Sequence, residues 1–381
     1  MAIVRARYPP GKRGGVSNEP VVEIQGRQLK LSNLDKVLYP ATGFTKGQVI
    51  DYYVHIAPVL VPHLAGRPLT LKRYPNGVDS QYFFEKNATA HRPDWIKTAP
   101  IWSEGNHRNV NYILADDLPT TVWMANLAAI ELHPSLALAK DIECPTMMVF
   151  DLDPGPPANI VQCAQVGMWL REIFEHLGLQ SFPKTSGSKG LQIYVPLNTP
   201  TRYEATKPFA HALARLLEDQ HRELLVSDMK KELRKGKVLV DWSQNDQHKT
   251  TIAVYSLRAR EHPTVSTPVK WEEVEQLLRK KDAGLLVFEA GQVLKRVEKM
   301  GDLFEPVLRL KQKLPQVAMT GDPGPPTAFR AGSARAASEA REGVETGLDI
   351  AAQAGREKKT VKPGSKKTQA GKKAGKKKEK I

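Results

Sequence analysis

The stretch Met147-Met-Val-Phe-Asp-Leu-Asp-Pro-Gly155 decides the fold of this chain. An apolar run leads into two carboxylates one residue apart and ends in Pro-Gly, which is typical of a buried strand that reaches a sheet edge. Because side chains alternate along a strand, Asp151 and Asp153 share a face. Two carboxylates so close repel unless a cation lies between them, and oxygen ligands suit Mg²⁺ or Mn²⁺. We predict a metal site; the alternative is a pair of loop caps.

Two further segments carry charges that suit this chemistry. Lys237-Val-Leu-Val-Asp-Trp-Ser243 is another apolar strand that ends in a carboxylate, Asp241. The segment 249–260 also reads as a strand, on which Arg258 and Arg260 share a face. Paired arginines at this spacing suit an extended phosphate chain, although they also suit an exposed strand edge blunted by charge.

The turn Thr185-Ser-Gly-Ser-Lys-Gly190 follows the first acidic strand. Its backbone amides and hydroxyls can cradle a phosphate, with Lys189 as the counter-charge. A Gly-Ser turn between two strands needs no function, so this pattern alone leaves both interpretations open. The next strand places Gln192 and Tyr194 on one face.

The N-terminal half contributes polar and aromatic candidates. Val21 to Leu31 predicts a hairpin around Gly26, and Thr45 begins a helix that we expect to reach Val61. Free amides at a helix start favour an anion, or the polar groups there are simply solvated. These groups are Asn33, Lys36 and Lys46.

Leu69 to Tyr74 predicts a strand, and two aromatics follow it. Phe83 and Phe84 point to opposite faces if extended, so one can stack on a base; without other information we assign both to the core. The segment 119–132 reads as a helix that delivers His133. A lone histidine there is usually structural, although it can also ligate a metal or accept a proton.

Composition limits the class of protein. The 381 residues include 41% hydrophobic residues and only two cysteines, and no apolar run reaches the length of a membrane span. The net charge is +15, and eleven Lys and one Arg against two Glu lie between Arg356 and Ile381. We expect residues 1–20 to be flexible, residues 21–314 to form one domain and residues 315–381 to be a disordered basic tail. The tail can bind nucleic acid without sequence preference; the alternative is a solubilising run or chance low complexity. A cytoplasmic protein is expected.

Several separated motifs resemble the polymerase domain of bacterial DNA ligase D, in the archaeo-eukaryotic primase superfamily, which serves non-homologous end joining. The resemblance spans about Leu31 to Leu310. The motifs are Leu38-Tyr-Pro-Ala-Thr-Gly43, Lys72-Arg-Tyr-Pro-Asn-Gly77, Phe83-Phe-Glu-Lys86, Phe150-Asp-Leu-Asp-Pro154, Thr185-Ser-Gly-Ser-Lys-Gly190, Val240-Asp-Trp-Ser-Gln244 and Tyr255-Ser-Leu-Arg-Ala-Arg260.

The resemblance implies a mixed α/β primase-polymerase fold, with a central mixed or antiparallel sheet flanked by helices. It implies a template-dependent nucleotidyltransferase that extends or fills 3′ ends, prefers ribonucleotides and uses two divalent ions, with Mn²⁺ favoured over Mg²⁺. The expected substrates are NTPs or dNTPs and DNA with a 5′-phosphate; the end-binding protein Ku and a separate ligase are candidate partners, and the bacterial nucleoid is the expected location.

The same resemblance implies roles for individual residues. The metal ligands are Asp151, Asp153 and Asp241, with His133 as a catalytic neighbour. The nucleotide contacts are Ser186, Lys189, Gln192, Arg258 and Arg260. The 5′-phosphate contacts are Asn33, Lys36 and Lys46; the template contacts are Lys72, Phe83 and Phe84; Arg234, in the basic stretch 230–237, positions the primer.

The chain departs from the family in two ways. The family usually carries His where this chain has Gln192, which puts polymerase efficiency in question. We also find no Lys-x-Asp-Gly motif of a nucleotidyl-lysine ligase, and we expect a polymerase domain that stands alone.

Two other functions fit parts of the sequence. A haloacid-dehalogenase-like phosphohydrolase also presents Asp-x-Asp after an apolar strand, but Gly155 stands where that family has Thr or Val. The second alternative is a non-catalytic module that binds DNA ends, in which Gln192 indicates that catalytic activity has been lost. Binding that depends on the 5′-phosphate without nucleotide addition would distinguish it.

Overall fold

The computed structural model describes residues 4–7 and 20–315. The expected disordered tail, apart from Pro315, lies outside the described residues. The helices are α1 Lys46–Leu64, α2 Leu118–Asn126, α3 Ile160–His176, α4 Tyr203–Gln220, α5 Trp271–Lys280, α6 Ala290–Met300 and α7 Pro306–Arg309. The strands are β1 Val4–Arg7, β2 Val21–Ile24, β3 Arg27–Lys30, β4 Val37–Tyr39, β5 Phe44–Thr45, β6 Leu69–Arg73, β7 Phe83–Glu85, β8 Thr98–Ser103, β9 Arg108–Ile113, β10 Ala129–Pro134, β11 Ala137–Leu138, β12 Asp141–Pro145, β13 Met147–Pro154, β14 Phe182–Thr185, β15 Leu191–Pro196, β16 Leu225–Val226 and β17 Val238–Asp241.

Two five-stranded sheets organise the molecule. The carboxylate sheet has the order β14-β15-β13-β17-β16, and only its β16–β17 pair is parallel. The aromatic sheet has the order β10-β6-β9-β8, with β7 also paired to β6. The expectation of a mixed α/β fold with largely antiparallel sheets and flanking helices is confirmed. Among the described helices, none is long and apolar enough to cross a membrane.

The carboxylate sheet is covered on both faces. On one face α3 packs against it, with the ring of Phe174 5.3 Å from that of Phe150. Val149, on the opposite face, joins the large hydrophobic core that also includes residues of α1 and β6. Asp151 has the same parity as Val149, so its side chain faces inward to the rest of the domain.

Helix α1 begins where the sequence predicts. Thr45 Oγ1 accepts a hydrogen bond from Gln48 N at 3.3 Å, and Thr45 N donates to Gln48 Oε1 at 2.8 Å, which forms a capping box. Val49, Tyr53 and Ile56 recur on one buried face. The helix continues to Leu64, three residues beyond the predicted end.

The hairpin around Gly26 is confirmed as β2 and β3. Strand β1, within the segment expected to be flexible, pairs with β2 from Val4 opposite Ile24 to Arg7 opposite Val21. The sheet therefore starts before residue 21.

Two predicted elements are wrong. The helix predicted over 119–132 ends at Asn126, and Ala128 then adopts a left-handed φ of 56° that turns the chain into strand β10, so that His133 lies on a strand. The strand predicted over 249–260 is irregular, because Tyr255 has a φ of 63°. Its backbone donors are satisfied elsewhere: Tyr255 N donates to Ser266 O at 2.7 Å.

Candidate active site

Strand register brings the three predicted metal ligands to one place. Asp151 on β13 lies directly opposite Asp241 on β17, and Asp153 lies two residues further along β13 on the same face. Residues 90 positions apart in sequence therefore meet at the end of adjacent strands.

The electrostatics of the cluster are unfavourable without a cation. Burial, with the charges of Asp153 and Asp241 adding to it, raises the pKa of Asp151 to about 7. Burial and the charge of Asp241 also raise the pKa of Asp153, whereas Arg234 lowers it. The site holds more negative charge than its surroundings neutralise.

Asp241 is held in a fixed orientation. Its Oδ1 accepts from Ser243 Oγ at 2.5 Å and from Ser243 N at 3.0 Å, and its Oδ2 accepts from Gln244 Nε2 at 2.8 Å. By contrast, Asp151 Oδ1 is buried and has no hydrogen-bond partner among the described residues. A buried acceptor without a donor is costly, and a divalent cation would satisfy it.

The donor set fits a hard divalent cation only with additional ligands. Within residues 4–7 and 20–315, no group of three or more His, Cys, Asp or Glu side chains is arranged to hold a metal ion by itself. Mg²⁺-type ions commonly bind one or two carboxylates plus substrate phosphates and water. The three aspartates suit this shared mode of binding.

A row of polar residues crosses the same sheet. Lys184, Gln192, Asp151 and Asp241 are successive register partners on β14, β15, β13 and β17. Lys184 is buried, and its Nζ donates to Gln192 Oε1 at 2.5 Å and to Ser266 Oγ at 2.6 Å. Burial holds the pKa of Lys184 well below its usual range.

Gln192 is only 2% exposed. Because its amide oxygen accepts from Lys184, its NH₂ group is left to face Asp151. Interaction with Gln192 opposes the rise in the pKa of Asp151. The structure brings Gln192 next to a carboxylate and encloses it.

The 185–190 turn closes against strand β13. Ser186 Oγ accepts from Ser188 N at 3.2 Å and from Gly190 N at 3.1 Å, which fixes the turn from inside. A Cβ on Gly190 would lie 2.2 Å from Leu152 O, so only glycine allows this approach. Lys189 is exposed at the tip.

Both predicted arginines converge on this turn. Arg258 Nη1 donates to Ser186 O at 2.7 Å, and the Arg260 guanidinium contacts the Ser188 hydroxyl. Tyr39 OH donates to Arg258 O at 2.9 Å, which anchors the irregular segment. The grouping predicted from the sequence is present, although no strand produces it.

The basic stretch 230–237 closes over the end of β13. A Cβ on Gly155 would lie 1.8 Å from Arg234 O, and Gly155 N donates to Lys237 O at 2.8 Å. Glycine at this position lets the two backbones touch. Arg234 is thereby close enough to influence Asp153.

The three predicted 5′-phosphate residues gather at the start of α1. The backbone N of Lys46 donates to the carbonyl oxygen of Lys36 at 2.8 Å. Asn33, which precedes both lysines in the chain, has a left-handed φ of 52°. Lys46 Nζ donates to Ser32 O at 2.6 Å, whereas Lys36 is exposed and its Nζ donates to Asn76 Oδ1 at 2.9 Å. Asn76 is an additional polar group at this cluster.

The predicted template residues form an exposed patch on the aromatic sheet. Phe83 and Phe84 are 44% and 56% exposed, so their assignment to the core is wrong. Lys72 lies opposite Phe84 in register, and its Nζ is 4.1 Å from the ring centroid of exposed Tyr82. The Phe84 ring lies 6.4 Å from that of His133, which places His133 beside the patch.

A model of the LigD primase-polymerase domain matches residues 45–304. The chain therefore belongs to this family. Members are nucleotidyltransferases of the primase-polymerase type in non-homologous end joining, and the match includes every carboxylate of the cluster.

Solved and curated LigD proteins resemble the chain over the same region. The polymerase domain of Mycobacterium tuberculosis ligase D, solved in complex with DNA, is 40% identical with a TM-score of 0.68, and the match covers 74% of this chain and 98% of that one. The multifunctional LigD of Mycolicibacterium smegmatis is 42% identical over 74% of this chain and 36% of its own length. The bifunctional LigD of Bacillus subtilis is 31% identical over 77% of this chain and 46% of its own. The chain thus spans about a third to a half of the length of the two curated relatives.

Sequence reasoning missed two buried residues of the LigD-type site. Lys184 directly precedes the turn, and nothing local distinguishes it from a surface lysine. Glu131 is 2% exposed and contacts His133, Arg258 and Lys72. The alternation Ile130-Glu-Leu-His133 is a strand signal that could have revealed it, but the helix assignment hid this signal.

Proposed function

We propose that this LigD-type domain is a template-dependent polymerase that fills or extends 3′ ends at DNA breaks or gaps, with a preference for ribonucleotides. The observation that carries the proposal is the convergence of three strand-end carboxylates with a glycine-serine turn bracketed by two arginines. This arrangement offers oxygen ligands for cations and, next to them, donors for a triphosphate.

Asp151, Asp153 and Asp241 would hold two divalent ions, Mn²⁺ or Mg²⁺. When bound, such ions favour ionisation of an attacking hydroxyl and neutralise charge on the leaving pyrophosphate. The unpartnered oxygen of Asp151 and the oxygen-only donor set support this assignment.

The chain's own donors would bind the triphosphate of the NTP or dNTP. Ser186, Lys189, Arg258 and Arg260 surround one turn, and arginine forks match phosphate oxygens in two bonds at once. The burial of Gln192 supports a different role from direct nucleotide contact: its amide would orient Asp151. That role does not require the imidazole that the family resemblance predicts at this position.

The contacts with the template and the 5′-phosphate would lie outside the carboxylate sheet, whereas the primer contact would lie beside it. Asn33, Lys36 and Lys46 would bind a 5′-phosphate at the start of α1, where helix amides favour anions. Lys72, Phe83 and Phe84 would hold and stack on template bases. Arg234 would position the primer end beside Asp153. The solved relative in complex with DNA is consistent with this use of the fold.

In the cell, we propose a role at DNA ends in the cytoplasm, with Ku and a separate ligase as partners. Sealing requires a ligase, and the full-length LigD relatives are about two to three times longer than the matched region.

Primer extension on a gapped duplex with a recessed 5′-phosphate tests the proposal. NTPs are compared with dNTPs, and Mn²⁺ with Mg²⁺. Templated ribonucleotide addition is the expected result. No addition by a folded protein that still binds DNA through the 5′-phosphate would favour the end-binding module instead.

A further inference from the structure

Glu131 is a buried acid at the centre of the site, opposite Lys72 in the register of β10 and β6. Its two oxygens have different partners. Oε1 accepts from Ala259 N at 3.1 Å and lies 3.3 Å from Arg258 Nε. Oε2 lies 3.0 Å from His133 Nε2 and 3.8 Å from Lys72 Nζ.

A negative charge here is unexpected, because the neighbouring cations are suited to phosphates. Burial would raise the pKa of Glu131, but the hydrogen bond with His133 and the charge of Arg258 together lower it to about 2. The acid therefore stays ionised and repels an incoming phosphate. The Glu131 carboxylate must therefore have a benefit for the site that outweighs this repulsion.

One contribution concerns the histidine. A carboxylate only accepts hydrogen bonds, so Nε2 of His133 must carry the hydrogen that Glu131 binds. Burial, with the charges of Arg258 and Lys72, lowers the pKa of His133, which favours the neutral ring. In a neutral ring with hydrogen on Nε2, Nδ1 is an acceptor.

We propose that Glu131 is a positioning residue shared by the template and nucleotide subsites, and that its position requires two acceptor oxygens. A glutamine has one acceptor end and one donor end. If its oxygen faces His133, its NH₂ faces the donors of Arg258 and Ala259; if it is reversed, its NH₂ faces Nε2 of His133 and Lys72. Either orientation breaks one side of the network.

The test compares Glu131→Gln with the wild-type full chain. ¹⁵N NMR of histidine-labelled protein, with His133→Gln to assign the signal, reports which ring nitrogen carries hydrogen. We expect hydrogen on Nε2 in the wild type. In the variant we expect a shift toward Nδ1, because Ala259 N and Arg258 can only donate, whereas the histidine ring can move its hydrogen; the amide oxygen should therefore face Ala259 and Arg258, and its NH₂ group should face Nε2. We expect kcat for templated addition to fall about 10- to 100-fold, as when a group that orients a catalytic histidine is lost. KM for the nucleotide should change less than kcat, because the lost orientation of Arg258 and the removal of a repelling charge act in opposite directions.

A second buried pair supplies the control. His63 Nε2 lies 2.8 Å from Asp302 Oδ2, and Asp302 has no assigned contact with substrate. Asp302→Asn should change the ring hydrogen of His63 and lower thermal stability while kcat is retained. Glu131→Asp keeps two acceptor oxygens and should recover part of kcat relative to Glu131→Gln.

The inference rests on the proposed polymerase activity, and the two can fail separately. A wild type that adds no nucleotide refutes the polymerase, while the NMR measurement still tests Glu131. An unchanged His133 ring hydrogen in Glu131→Gln, or a parallel loss of kcat in Glu131→Gln and Asp302→Asn, overturns the inference. If Glu131→Gln does not fold, Glu131→Asp must retain the wild-type ring hydrogen, and failure to do so also overturns it.

Discussion

The carboxylate sheet is covered on both faces, whereas the aromatic sheet leaves its short strand β7 open to solvent. Asp151 and Gln192 are enclosed between neighbouring strands, and the buried Lys184 fixes the orientation of Gln192. Phe84 and Tyr82 are about half exposed. Catalysis by charged groups requires side chains that are held in place. Binding of single-stranded nucleic acid requires aromatic surfaces that are free to stack on bases. We propose that the domain separates these two demands between its sheets.

This difference predicts that substitutions in the carboxylate sheet lower the rate of nucleotide addition and leave DNA affinity unchanged. Asp151→Ala should lower templated nucleotide addition by at least roughly 1000-fold, because the loss of several kcal/mol of transition-state stabilisation corresponds to about tenfold per 1.4 kcal/mol. Single-turnover primer extension measures the rate, and fluorescence anisotropy measures DNA binding. Asp219→Ala, an exposed acid paired with Arg222, is the matched control and should be fully active. Addition retained within tenfold would remove Asp151 from the metal site.

The opposite pattern is expected on the aromatic sheet. Phe84→Ala should weaken binding of a single-stranded template about 5- to 150-fold, since stacking on an aromatic contributes about 1–3 kcal/mol per base. Affinity for Mn²⁺ should be unchanged. Phe84→Tyr keeps the ring and should bind like the wild type, whereas Phe84→Leu keeps only the apolar volume and should not. Equal binding by all three variants would contradict a stacking role.

A smaller effect is expected at the start of α1. Lys36→Ala should remove most of the preference for a 5′-phosphorylated end, roughly tenfold, because a bond from lysine to phosphate is charge-assisted. Competition between phosphorylated and unphosphorylated duplexes measures this preference. Lys97→Ala, an exposed lysine paired with Asp116, changes the same net charge away from the cluster and should leave the preference intact. If both variants reduce it equally, general electrostatics explains the preference.

The smallest effect is a pH dependence confined to the carboxylate sheet. In the folded metal-free protein Asp151 keeps its proton up to about pH 7, whereas the unfolded chain releases it near the ordinary value of 3.8. Between these values the folded state binds the extra proton, so stability falls as pH rises. Asp151→Asn lacks this fall and should melt higher by a few °C, about 2–4 °C per kcal/mol, at pH 8 in a chelator. Thermal denaturation from pH 4 to pH 8 measures it, and identical curves for both proteins would contradict the raised pKa.

Much of the carboxylate sheet could be predicted from sequence. The apolar runs before Asp151 and Asp241 identified both strands. The glycine-serine turn predicted a phosphate cradle, which stays a prediction. The segment carrying Arg258 was assigned wrongly because nothing in its composition reveals the left-handed Tyr255. The aromatic sheet was predicted less well. Phe84 was assigned to the core although it is exposed, and His133 was expected at the end of a helix although it lies on strand β10.

Features that depend on neighbours within a few residues can be predicted from the sequence alone. These include the shared face of Asp151 and Asp153, the Thr45 cap of α1 and the turns at glycine. Alternation, capping and turn geometry are set by local backbone sterics and hydrogen bonds.

Contacts between residues distant in the sequence are seen only in the tertiary structure. Register pairs Asp151 with Asp241 across 90 positions, and Arg258 reaches Ser186 across 72. The buried contacts of Glu131 and Lys184 have the same origin, because burial depends on which elements pack over a residue. Cross-strand pairing and burial follow from the packing of the whole core, for which no local pattern of residues is sufficient.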